Sequence, residues 1–171
     1  AWAGSLYNKS HWTRILKNTQ YCLRPGVTWS QRSQIGLGMR VMPRGCVFGV
    51  KGPAIFSASN SGQSLLALMA IGQSRIFKSL VSLHMAFGSF DVGVVQRTPI
   101  PPEADLVNSD LPDLALEAWN LKRKLDYIVE TSHAFVLPRA LLEQKINFDP
   151  VEIVNELGSV VEKIELQALE V

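Results

Sequence analysis

The first 90 residues of the chain contain no aspartate or glutamate. They carry ten lysines and arginines, a formal charge of +10, whereas residues 91–171 hold seven such cations and all fifteen acids, a formal charge of −8. Ordinary protein surfaces intersperse charges of both signs. The absence of acids therefore favours a surface for a polyanion such as nucleic acid. The alternative is that the two halves of the chain attract one another.

Cysteines and long apolar runs are also scarce. Cys22 and Cys46 are the only cysteines, and neither belongs to a CxxC pair, which argues against a zinc site and a disulfide framework. We expect a reducing, cytoplasmic setting. The longest apolar run, LLALMAI at 65–71, is far shorter than the roughly 20 residues of a membrane span. The N-terminus has no basic stretch followed by an apolar one, so we expect no secretory signal there.

Catalytic motifs are missing as well. The sequence has no GxSxG, no GxxxxGK[ST] and no HExxH, and it lacks both an FxGxG-type cofactor loop and an Asn-Pro-Pro-Tyr segment. The three histidines, His11, His84 and His133, are scattered, and His84 is best interpreted as a core or helix-end residue. We therefore expect no catalysis, no metal and no cofactor in this chain, and interpret its function as binding.

The acid-free half reads as short strands followed by a helix. Within residues 20–57, glycine and proline turns precede the segments VTWSQ, CVFGV and AIFSA, whose composition is typical of strands. Residues 63–84 carry apolar side chains at helical spacing, interrupted by Gly72, which predicts one kinked helix or two. VGVV at 92–95 reads as a short buried strand, ended by the prolines of a linker at 99–102.

The acidic half reads as helical. Asp110, followed by Pro112, is a typical helix start. The apolar stripe of that helix is predicted at alternating spacings of four and three: Leu114, Ala118, Leu121, Leu125 and Ile128. Asp149 and Glu152 predict the start of another helix, which Gly158 would end or kink. The sequence ends within this helical pattern, so we expect a fragment of a longer protein.

The predicted fold class is α/β (α+β): a small mixed β-sheet with packed helices, followed by a helical segment. We predict a basic, strand-rich recognition part at 1–98 and an acidic helical scaffold part at 99–171, together one compact fragment. The composition, 47% hydrophobic and 19% charged, is that of a globular chain.

The candidate DNA-binding residues are cations and polar or aromatic side chains of the acid-free half. Arginine can contact guanine in a bidentate manner, glutamine can contact adenine, and both bind phosphates. The predicted contacts are Arg24, Arg32, Arg40, Arg44 and Lys51, with Trp29 and Gln31 as groove or stacking contacts and Arg14 and Lys17 as phosphate contacts.

Five segments occur in an order that resembles a known family: RPGVTW, MRVMPRGCVFGVKGPAIF, LLALMAIGQSRIFKSLVSL, FGSFDVGVVQRTPIPP and AWNLKRKLDYIVETSHAF. The order resembles the C-terminal half of large adenine-specific DNA methyltransferases of bacterial phage defence. These are the BREX-type enzymes, with Eco57I-like and MmeI-like restriction–modification enzymes as relatives. In that family a glycine-rich strand end precedes an LLALLNS helix and a segment of the form G-x-[IV]-x-x-[IL]-P-[IV]-P. Residues 67–74 and 93–101 occupy those places, with Gln73 where the family has asparagine.

The resemblance covers residues 20–137 and implies a target recognition domain for double-stranded DNA. It implies that an upstream domain of the parent chain binds S-adenosylmethionine and methylates a flipped adenine. Base-reading residues differ between members, so the resemblance assigns none individually. Two other functions remain open from the sequence: half of a type I restriction specificity subunit, and a protein-interaction module whose charges pair internally.

Overall fold

The computed structural model describes residues 17–85, 88–146 and 148–171. The described part contains a three-stranded antiparallel sheet and seven α-helices, which confirms the mixed fold class; all of its strand pairs are antiparallel. The elements are β1 (Gly26–Thr28), β2 (Arg40–Met42), β3 (Ala54–Ile55), α1 (Gly62–Gln73), α2 (Arg75–His84), α3 (Val92–Arg97), α4 (Glu103–Asn108), α5 (Leu111–Leu125), α6 (Arg139–Lys145) and α7 (Pro150–Glu170).

The sheet has the strand order β2-β1-β3, with β1 in the centre. Val27 pairs with Val41 on one side and with Ile55 on the other, and its side chain is buried in the core. Thr28, the next residue, pairs with Arg40. Because successive side chains of a strand point to opposite faces, Arg40 is directed away from the core, and it is exposed.

The hydrophobic core is one buried cluster around α1. Helix α5 packs against both α1 and α7. Ala115 and Leu121 of α5 are buried, and Leu114 and Ala118 pack beside them, so the first three residues of the predicted apolar stripe face the core. Leu125 and Ile128 are only half-buried, and Ile128 lies beyond the end of α5. The cluster joins Val27 of the sheet to α7. It therefore contains side chains from both sides of residue 99, where the division into two parts stays a prediction.

The helical region at 63–84 is two helices, and the break lies at Ser74 rather than at Gly72. Helices α1 and α2 meet at an angle of 71°. Ser74 has an extended backbone, its Oγ donates to the carbonyl of Ile71 (2.7 Å), and it accepts from the amide of Phe77 (3.3 Å), so it caps α2. A Cβ on Gly72 would lie 2.1 Å from Met39 Sδ. Gly72 therefore serves close packing between α1 and the chain leading into β2.

Among the described residues, no single helix is long and apolar enough to cross a membrane, and only the bent pair of α1 and α2 has that length and composition when the two are taken together.

Two predictions about local structure are wrong. VGVV forms helix α3, because a short apolar run with Val94 and Val95 buried fits one turn of a buried helix as well as a strand. CVFGV forms no strand, since Gly49 and Gly52 bond each other's backbone and close a tight turn. For Gly158 the sequence predicted an end or a kink of the helix: the end is excluded, since α7 continues to Glu170, and the kink stays a prediction. The predicted start of α7 is confirmed: Asp149 accepts from the amide of Val151 at 2.8 Å.

Candidate nucleic-acid interface

Four of the predicted DNA-binding residues lie together on one surface. Side-chain hydrogen bonds and a backbone bridge connect Gln31, Arg32, Arg40 and Lys51 to residues that were not in the predicted set. We call this surface the basic face, and it consists of Ser30, Gln31, Arg32, Arg40, Lys51, Ser89 and Asp91. Arg14, another predicted contact, lies outside the described residues.

The backbone of the basic face is held from two sides. The amide of Gln31 donates to the carbonyl of Lys51 (3.1 Å), and the amide of Phe90 donates to the carbonyl of Gln31 (2.7 Å). The backbones of Arg32 and Ser89 form an isolated antiparallel β-bridge. The segment that follows β1 therefore lies between the loop preceding β3 and the segment preceding α3. Its side chains are presented from an ordered hydrogen-bonded scaffold.

The side chains continue this network. Arg40 donates to Ser30 Oγ at 2.7 Å. Lys51 Nζ donates to Gln31 Oε1 at 3.2 Å, and Gln31 Nε2 donates to Asp91 Oδ1 at 2.7 Å. Ser89 Oγ donates to the same oxygen of Asp91 at 2.9 Å. The side chains thus form two hydrogen-bonded groups, one that contains Ser30 and one that contains Gln31, and these two residues are neighbours in the chain.

The basic face is positively charged. It holds three cations and one carboxylate, for a formal charge of +2. The hydrogen bonds from Gln31 and then Ser89 hold the pKa of Asp91 below its usual value of 3.8, against the opposing effect of desolvation, and the positive charges of Arg32 and Lys51 also lower it. Asp91 is therefore ionised at neutral pH and acts as an acceptor only.

None of the cations of the basic face has an ion-pair partner within the part of the chain that the structure describes. The ion pairs found there are Arg75–Glu165, Lys122–Asp126 and Arg139–Glu143. Only Arg75 of these comes from the acid-free half. Lys78, also on α2, lies near Glu165, and burial is the main cause of its lowered pKa. Ion pairing between the two halves thus engages α2, whereas Asp91, the acid of the second half that lies in the basic face, is hydrogen-bonded by Gln31 and Ser89 rather than by a cation.

Arg24 occupies a different environment from the basic face. Its Nε donates to Asn60 Oδ1 at 2.8 Å, and its Nη2 donates to the carbonyl of Ser57 at 2.9 Å. The guanidinium also lies over the rings of Tyr21 and Phe56, at 5.2 and 5.8 Å from their centroids. Arg24 therefore ties the chain after β3 to the turn before β1. A DNA contact by Arg24 would compete with these interactions.

Arg44 and Lys17 are exposed. Arg44 lies in the turn where Gly45 donates to the carbonyl of Leu23. Contacts between these two residues and DNA stay predictions.

The prediction that Trp29 contacts DNA is inconsistent with the structure. The side chain is 1% exposed, and its Nε1 donates to the carbonyl of Phe90 at 2.8 Å. Composition cannot tell which face of a strand a tryptophan occupies, and here the indole belongs to the core. It supports the basic face from beneath, because Phe90 lies between Ser89 and Asp91.

Sequence reasoning missed Ser30, Ser89 and Asp91 as members of the interface. For Asp91 a signal existed, since it is the first acid of the chain after 90 residues without one. For the two serines the sequence carries no comparable signal. Their place depends on which segments the fold brings together.

Comparison with known proteins gives one similarity relevant to function. No family model matches the chain. The chain is 30% identical over 132 residues to the adenine-specific methyltransferase BrxX of Escherichia coli O9:H4 (strain HS). The match covers 77% of this chain and 10% of that protein, so the chain spans about a tenth of the length of the relative it matches. The chain is thus related to one region of a much larger methyltransferase.

Proposed function

We propose that this chain is the target recognition region of an S-adenosylmethionine-dependent, adenine-specific DNA methyltransferase of a bacterial restriction–modification or phage-defence system. The basic face would hold double-stranded DNA in the cytoplasm. An upstream domain of the parent chain would bind the cofactor and methylate the adenine. The similarity to a region of BrxX supports the link to methyltransferases.

The observation that carries the proposal is the set of cations on the basic face. Arg32, Arg40 and Lys51 are exposed and free of ion pairs within the described residues. A cation that neutralises a DNA phosphate releases a condensed counterion, and this release dominates sequence-independent affinity. A cation already paired with a carboxylate would contribute less to DNA affinity, because its charge is already partly neutralised. The basic face therefore offers the charge that DNA binding requires on an ordered support.

Two alternatives have less support. The similarity is to a methyltransferase rather than to a separate specificity subunit. Internal charge pairing is represented by Arg75 and Glu165, whose Nε and Oε1 lie 3.5 Å apart, and this contact includes no residue of the basic face. A protein-interaction module with a neutralised basic half would instead need the acidic helices to engage Arg32, Arg40 and Lys51.

The proposal is tested by fluorescence anisotropy of the chain with a random-sequence duplex at several salt concentrations. A triple variant, Arg32→Ala/Arg40→Ala/Lys51→Ala, removes the cations of the basic face. If each cation neutralises one phosphate, the slope of log affinity against log salt should fall by about 2 to 3, because each phosphate contributes about 0.9. We expect affinity at low salt to fall roughly a hundredfold.

A matched control removes the same charge from the acidic half. Lys124, Lys145 and Lys163 are exposed, and none takes part in an ion pair within the described residues. Their triple alanine variant should keep the salt slope of the unaltered chain. Equal losses in both triple variants would mean that net charge rather than the basic face binds DNA. No binding by the unaltered chain at low salt would overturn the proposal.

A further inference from the structure

The side-chain amide of Gln31 lies between two neighbours of opposite hydrogen-bonding character. Nε2 donates to Asp91 Oδ1 at 2.7 Å, and Oε1 accepts from Lys51 Nζ at 3.2 Å. An ionised carboxylate only accepts and an ammonium only donates. The chemistry of the two neighbours therefore fixes the orientation of the amide, with nitrogen towards Asp91 and oxygen towards Lys51. A flipped amide would lose both hydrogen bonds.

The neighbours are themselves held. Ser89 Oγ donates to Asp91 Oδ1 at 2.9 Å. The backbone of Gln31 is bonded to Lys51 on one side and to Phe90 on the other. Gln31 is half-buried, and Asp91 and Lys51 beside it are exposed. The amide is thus an oriented polar group at a surface rather than a freely rotating one, which lowers the entropy lost when it binds a partner.

The network leaves part of the amide unused. A glutamine amide has two N–H donors and an oxygen with two lone pairs. Asp91 takes one donor and Lys51 takes one lone pair, so one donor and one acceptor remain for a ligand. A neighbouring donor and acceptor of one amide can bind the N7 and N6 positions of adenine in the major groove.

We propose that Gln31 reads an adenine of the DNA target and that Asp91 and Lys51 are positioning residues that set its amide for this contact. The proposal rests on the proposed function as a DNA recognition region. The charge of Asp91 adds a second effect, because a carboxylate repels phosphate. The side-chain amide of Gln31 then contacts the edge of a base, while Arg32 and Arg40 beside it contact the DNA backbone.

The test is selection of bound sequences from a random duplex library, followed by affinity measurements on the selected duplex and its single-base variants. The unaltered chain should select a motif that contains an adenine. Gln31→Leu should lose the preference at that adenine, by about 5- to 150-fold, the range expected for one bidentate contact. The loss at that adenine should exceed any loss of affinity for a random duplex.

Asp91 provides the positioning test. Asp91→Ala removes the acceptor that orients Gln31, so it should weaken the preference at the same adenine while binding to a random duplex stays equal or becomes tighter. Asp91→Asn offers Gln31 an acceptor oxygen without the charge, so it should keep most of the preference. A residue that only maintained the fold would change affinity for all sequences together. Thermal melting of each variant checks that it is folded.

The outcomes separate the two proposals. If the unaltered chain does not bind a random duplex, the proposed function and this inference both fail. If it binds without sequence preference, or if Gln31→Leu or Asp91→Ala keeps the full preference at every position, only the inference fails. A preference for another base at the position lost in Gln31→Leu would overturn the assignment of adenine.

Discussion

The cations of the acid-free half occupy two contrasting environments. Arg24 and Arg75 are used by the fold: Arg24 bonds to Asn60 and Ser57, and Arg75 bonds to Glu165. Arg32 and Lys51 are exposed, and their one nearby carboxylate, Asp91, is bonded instead by Gln31 and Ser89. The comparison teaches that an excess of charge in a sequence does not identify a binding surface. Cations that the fold leaves exposed, with no ion pair and at most one internal hydrogen bond, are better placed to serve one than a cation held by several contacts.

The largest expected contrast is between Arg24→Ala and Arg32→Ala. Arg24→Ala should lower the free energy of unfolding by about 1.5–3 kcal/mol, since it removes hydrogen bonds from a charged group and its contacts with Tyr21 and Phe56. Arg32→Ala should change it by less than about 0.5 kcal/mol, as expected for an exposed side chain. Urea denaturation of both variants measures the difference.

Arg24→Lys sharpens this contrast. It keeps the charge but loses the planar fork that bonds Asn60 and Ser57 together, so it should retain most of the destabilisation. Equal stability of Arg24→Ala and Arg32→Ala would show that Arg24 is not committed to the fold. Such a result would favour the prediction that Arg24 contacts DNA.

A smaller effect is expected at the contact between the two halves. The carboxylate of Glu165 accepts from the backbone amide of Arg75 at 2.9 and 3.1 Å and lies 3.5 Å from its guanidinium. Glu165→Ala should lower the free energy of unfolding by about 1 kcal/mol, because the start of α2 loses an acceptor. Glu165→Gln keeps an acceptor, so it should lower the free energy of unfolding by less than Glu165→Ala does.

Glu162 offers the control for that variant. It is exposed on the same helix, α7, and Glu162→Ala removes the same charge without touching α2. Thermal melting compares the two variants, with about 2–4 °C expected for each kcal/mol in a chain of this size. DNA binding should be the same in both variants. A larger melting shift for Glu162→Ala than for Glu165→Ala would contradict the assigned contact.

The smallest effect concerns pH. Since hydrogen bonds from Gln31 and Ser89 lower the pKa of Asp91 in the folded chain, the ionised carboxylate stabilises the folded state above the usual pKa of 3.8. This contribution is lost as the pH falls through the lowered value. Gln31→Leu should raise the pKa of Asp91 towards 3.8, measured by following its carboxyl carbon in an NMR titration. An unchanged pKa would mean that the hydrogen bond is absent in solution.

The prediction of secondary structure succeeded where the sequence carries local signals. Asp149 caps α7 through its own side chain, and the stripe along α5 follows helical spacing, so both are readable without the rest of the molecule. The prediction of a strand at 92–95 was wrong because four apolar residues satisfy a buried strand and a buried helical turn equally well. Gly158 does not end α7, because one glycine weakens a long helix without necessarily ending it.

The candidate site was only partly predictable. Gln31, Arg32, Arg40 and Lys51 were selected from residue type and from the absence of acids, and the structure brings them to one surface, while their contact with DNA stays a prediction. Trp29 was assigned to the wrong side of the structure, since burial follows from packing against the core rather than from residue type. Arg24 was grouped with the free arginines because its partners lie 33 and 36 positions away in the chain. No local pattern indicates such partners.

The sequence by itself determined the separation of charge, the turn-rich basic half and the helical acidic half, because composition, capping residues and apolar spacing are local properties of the chain. Only the tertiary structure decided which cations remain free, that Trp29 is core, and that Asp91 lies against Gln31. These depend on hydrogen bonds of backbone and side chains between residues up to 61 positions apart. Such contacts arise when the chain buries its apolar surface and must satisfy its polar groups at the same time.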